Sequence, residues 1–141
     1  MEESKKPSAS KLIEGTSRGT LSQVQIKRVP AIFYRTEAGR EPVRAWLKAM
    51  SPEDRRLVGE DIKTVEFGWP VGMPTCRPLG DGLNEVRTKL PGNRIVRVFF
   101  YIDRKQRMVV LHGMVKKTQA TPETDLELAR QNMRKHERGL K

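Results

Sequence analysis

In the second half of the chain, three strand candidates follow one another with almost nothing between them: residues 83–90, 94–103 and 106–115. Pro91-Gly92-Asn93 separates the first two and Arg104-Lys105 the second two. Gaps this short return a strand antiparallel to its neighbour, because a parallel crossover needs a dozen residues or more. This half therefore predicts an antiparallel meander. The last run, MVVLHGMV, is apolar on both faces, as suits a central strand.

The upstream half supplies helices. Val29 to Arg35 is a short apolar run with aromatics, and Pro30 suits the start or edge of a strand. Glu41-Pro42 opens a helix, with proline at the first turn where its missing N–H does no harm. Val43, Trp46, Leu47 and Met50 then share one face. Ser51-Pro52-Glu53-Asp54 is a second start, with a serine cap and acids in the first turn. Val58, Ile62 and Val65 form its buried stripe, and Gly68-Trp69-Pro70 ends it. Residues 70–82 read as a Pro/Gly loop. A final helix starts at Thr121-Pro122-Glu123, with Thr121 as cap and Leu126, Ala129 and Met133 as its apolar stripe; its charged tail is expected to fray. The order β-α-α-β-β-β-α predicts an α+β fold: a small antiparallel sheet, an N-terminal helical hairpin and a C-terminal helix. Residues 1–28 are polar and are expected to form a basic, flexible extension, leaving 29–138 as the single domain.

The net charge is +11 and the pI about 10.2, which attracts polyanions from a distance. From Arg87 to Lys117 lie nine basic residues and one acid, Asp103, so this stretch supplies eight of those charges. In the middle strand Val96, Val98, Phe100 and Ile102 share one face, and Arg97, Phe99 and Tyr101 the other. Arginine in mid-strand suits an open face. The expectation is a basic, concave surface carrying Arg87, Lys89, Arg97 and Tyr101, with Arg94, Lys116 and Lys117 at strand ends, suited to RNA phosphates and splayed bases. A solvated face with arginine for solubility is the plainer alternative.

Familiar catalytic motifs are missing: no P-loop, no GxSxG elbow, no HExxH. Two distant histidines give no metal cluster, and no metal or cofactor is expected. His112 in the apolar last strand reads most simply as a core histidine, His136 as a solvated tail residue and Cys76 as a bystander. A lone cysteine and the lack of any apolar run approaching ~20 residues fit a cytoplasmic protein without a membrane role. RNA cleavage needs less than those motifs, because the ribose 2′-OH is the nucleophile. The protein must align the phosphate, neutralise it and move protons.

Leu79-Gly80-Asp81-Gly82-Leu83, Glu85-Val86-Arg87, Arg97, and Leu111-His112-Gly113-Met114-Val115-Lys116-Lys117-Thr118, in this order, resemble the phage-derived, HigB-like branch of the RelE/ParE toxin superfamily. Phe33-Tyr34-Arg35-Thr36-Glu37 and Gly39-Arg40-Glu41-Pro42-Val43 extend the likeness, which runs from about residue 31 to 136. It implies a RelE-like fold, cleavage of mRNA on the ribosome, and a helix-turn-helix (HigA-like) antitoxin as partner. Arg97 matches the family's mid-strand arginine at the scissile phosphate, and its replacement by alanine is expected to abolish toxicity without unfolding the protein. Lys117, beside Lys116, stands where a second catalytic arginine lies, and lysine there lacks the bidentate fork. Arg87 and Lys89 match a pair of lysines. The family's downstream tyrosine has no counterpart, since the matching position falls near Glu123, and His112 or Tyr101 would have to replace it.

The same superfamily includes ParE-like toxins that block DNA gyrase by binding, so the fold does not choose between the two activities. A plain nucleic-acid-binding module also accounts for the charge.

Overall fold

A computed structural model describes residues 26–116 and 122–140. Most of the expected N-terminal extension, Lys117 and Thr121 lie outside these residues. The elements run β1 (Ala31–Phe33), α1 (Pro42–Lys48), α2 (Pro52–Gly68), β2 (Cys76–Gly80), β3 (Leu83–Leu90), β4 (Arg94–Ile102), β5 (Met108–Lys116) and α3 (Glu123–Arg138). The fold is α+β, as the element order implied.

The sheet order is β1-β5-β4-β3-β2. β2 to β5 form the antiparallel meander, but β1 pairs in parallel with β5, so the sheet is mixed. Ala31–Phe33 lies opposite Met108–Val110, a pairing between distant segments that no local pattern announces. β2 is a second departure, since it falls in the stretch read as loop. Its link to β3 is Asp81-Gly82, with both residues at positive φ (55° and 86°), the two-residue turn that suits the strand twist. Pro78 and a bulge before Gly80 disguise the strand.

α1 and α2 cover one face. Ser51 Oγ accepts from the Asp54 backbone N–H at 3.2 Å, Pro52 follows the cap, and Val58, Ile62 and Val65 are buried. They pack on Val86, Val96, Val98, Phe100 and Val110. Glu66 near the end of α2 holds the incoming chain: its side chain accepts from the Ala31 N–H at 2.7 Å and pairs with Lys27 at 3.2 Å.

α3 covers the other face. Leu126, Ala129 and Met133 meet Leu83, Phe99, Tyr101, Val109 and Leu111. Its cap position falls on Pro122, which offers no side-chain cap. Polar clamps compensate along its length. Arg130 donates to the Leu79 and Gly80 carbonyls, Asn132 Nδ2 donates to the Leu111 carbonyl at 2.9 Å, and His136 Nε2 meets Asp103 at 3.0 Å. The expected fraying of the tail does not occur: Leu140 is buried, and His136, expected in solvent, sits edge-on to Tyr101. Asp103 draws it in, because a buried carboxylate needs several donors.

Candidate functional site

Antiparallel register turns the α3 face into a grid. Glu85, Phe99 and His112 form one row across β3, β4 and β5; Arg87, Arg97 and Met114 form the next; Lys89, Ile95 and Lys116 the third. Directly opposed residues share a face, so these nine side chains belong to one surface.

His112 is in this grid because of a defect. The pairing shifts between Phe99 and Phe100, so β5 carries an extra residue around Leu111. Strict alternation from Val109 would have sent His112 to the opposite face. Instead its ring stacks on Phe99, with centroids 5.8 Å apart and planes at 13°, and its Nε2 lies 2.7 Å from Asp125 Oδ1 in the first turn of α3. The Asp125 carboxylate can only accept, so Nε2 carries the proton and Nδ1 is left as the basic nitrogen. The His112 side chain is 20% exposed. An oriented, partly exposed imidazole can act as general acid or base. Neither the bulge nor Asp125 was visible in the sequence, and the plain reading of His112 as a core residue misses its partner on α3.

Arg97 corrects the expectation of an open face. It is fully buried, and Nη1 donates to Glu85 Oε2 at 2.8 Å, with Glu85 equally buried. A mid-sheet position flanked by long side chains has no path to solvent, and two arginines directly opposite each other, Arg87 and Arg97, need an acid between them. The sequence signal for that acid is the parity Glu85 shares with Arg87. Arg87 Nε lies 3.9 Å from Glu85 Oε2, without a hydrogen-bond partner among the described residues, and its side chain is 20% exposed. Lys89 is exposed and Lys116 half-exposed.

Two expected members are elsewhere. Arg94 shares the opposite face with Val96 and binds Asp54 of α2 through both terminal nitrogens (2.8 and 3.3 Å), which lowers the Asp54 pKa; it is a clamp between hairpin and helix. Tyr101 lies four residues beyond Arg97, roughly 13 Å along the strand. It is buried and donates to Glu137 Oε2 at 2.6 Å, and burial, then that carboxylate, push its phenol well above the usual value. A phenol so placed is a poor proton carrier. Cys76 is buried, which pushes its thiol up to about 11, as befits a bystander. Among the described residues no three potential metal ligands converge, and no helix is long and apolar enough to cross a membrane.

The site is thus an imidazole–carboxylate pair on the same sheet face as Arg87, Lys89 and Lys116. No curated protein matches the chain. The profile of the phage-derived Gp49-like proteins (DUF891) matches residues 45–134, well over half the chain, from α1 through the grid and most of α3. The chain belongs to this Gp49-like family, a type II toxin family related to the RelE-like toxins.

Proposed function

We propose that the protein is the toxin of a type II toxin–antitoxin pair, of the HigB-like kind, and that it cuts mRNA on the ribosome. His112 Nδ1 takes the proton of a ribose 2′-OH, whose oxygen attacks the adjacent phosphorus. The 5′-oxygen leaves and takes up a proton from water, giving a 2′,3′-cyclic phosphate and a 5′-hydroxyl end. Arg87, Lys89 and Lys116 neutralise the phosphate as charge builds, and Lys117 follows directly in the chain. Arg97 acts indirectly, by holding Glu85 beneath Arg87. The observation that carries this reading is the 2.7 Å His112–Asp125 contact on the sheet face that carries Arg87, Lys89 and Lys116. The partners proposed are the ribosome with its mRNA and a helix-turn-helix antitoxin, and the setting is the cytoplasm.

One observation favours a second reading. Arg97, the expected phosphate ligand, is sequestered at 0% exposure, which suits a toxin that binds gyrase without cutting RNA. Primer extension separates the two. The protein incubated with a reporter mRNA should produce discrete cuts when ribosomes translate it and none on free mRNA. Growth arrest without cuts, together with inhibited supercoiling, would establish the binding toxin instead.

A further inference from the structure

β1 ends at Phe33, and among the described residues no strand pairs with the outer edge of β5 from Leu111 onward. A cleft of about 410 Å³ lies at this edge, between α1 and α3, and its lining includes Tyr34, Trp46, His112, Gly113, Leu128 and Asn132. Small-ligand clefts of roughly 300–1,000 Å³ are usually apolar with a few placed polar groups, and this one follows that pattern. Trp46 closes one side. A Cβ on Gly113 would stand 2.2 Å from its ring, so only glycine lets the indole lie against the strand.

The polar groups are placed and spare. Tyr34 is buried, and its hydroxyl makes no hydrogen bond among the described residues. Asn132 spends its amide N–H on Leu111, which leaves its amide oxygen as an acceptor. His112 lines the cleft and also forms the imidazole–carboxylate pair.

We infer that this cleft receives one unstacked nucleobase of the RNA next to the cleaved bond and so sets the sequence preference of the cut. A base has an aromatic face for Trp46 and hydrogen-bonding edges for Tyr34 and Asn132, which is how single-stranded RNA is read. Shared use of His112 puts the base within one side chain of the reacting phosphate. The inference rests on the ribonuclease reading above, but its test does not depend on cleavage.

The test is an NMR titration of the full chain with the four ribonucleoside 5′-monophosphates and with ribose 5-phosphate, following the Trp46 indole N–H. Saturable shifts are expected, stronger for some bases, with none from ribose 5-phosphate. Tyr34→Phe should weaken binding about fivefold by removing one hydrogen bond. Leu128→Trp, at a half-exposed position, should block the cleft without touching the core. Equal shifts from ribose 5-phosphate, or no shift with any nucleotide, would overturn the inference even if ribosome-dependent cuts are seen. Base-selective binding by a protein that never cuts mRNA would uphold the cleft and remove the nuclease reading.

Discussion

Single residues carry the polar logic of the sheet. Arg97 and Glu85 are both fully buried and paired at 2.8 Å. Taking one away breaks a hydrogen-bonded charge pair inside the protein, which costs about 3–5 kcal/mol. Arg97→Ala is therefore expected to lower stability by about that amount in urea denaturation, and loss of toxicity in this variant would reflect folding. A melt matching the wild type would return Arg97 to the solvent-facing role that its mid-strand position suggests. Asp103 gives a pH signature. Burial pushes its pKa up, but donation from Arg107 and His136 outweighs this and brings it from 3.8 to about 2. A carboxyl depressed in the folded state stabilises above its unfolded pKa and loses that contribution as pH falls through the folded one. About 2 kcal/mol should thus be present above about pH 4 and disappear towards about pH 2. Asp103→Asn should flatten acid unfolding over that window; an unchanged acid limb would refute the assignment.

At the scale of elements, the contact between α1 and β5 is the most exposed to test. Gly113→Ala drives a methyl into Trp46. Such overpacking costs about 1–3 kcal/mol. The variant should melt lower and shift tryptophan fluorescence to the red as the indole is displaced, and a neutral effect would mean that the helix yields freely. What the sequence discloses also divides by element. The caps and stripes of α1 and α2 are local, and so is the alternation of β4, and all were legible. The Asp81-Gly82 turn was equally legible as a dipeptide, but Pro78 and Gly80 around it mask a strand. The parallel β1–β5 pair depends on segments far apart in the chain. The bulge in β5 reverses the parity of His112, and only that reversal brings it to Asp125. The site was therefore half readable: its basic row is written in the strands, while its acid–base pair arises from register and helix docking.

Across the whole molecule, a net charge of +11 is concentrated on one half of the chain and opposes a polyanion. Binding to single-stranded RNA should weaken steeply with salt, and each phosphate contact removed should lower the log–log slope by about 0.7. Arg87→Ala and Lys89→Ala should each do so, Lys89→Ala with stability unchanged; slopes equal to the wild type would move the RNA surface elsewhere. In the proposed reaction His112, oriented by Asp125, moves the proton in mRNA cleavage. Single-turnover cutting of ribosome-bound mRNA by the wild type and by His112→Ala tests it most directly. The variant should still fold, bind the ribosome as tightly and cut roughly 10²–10⁴-fold more slowly. Cutting at the wild-type rate, at the same positions, would exclude His112 as the group that moves the proton.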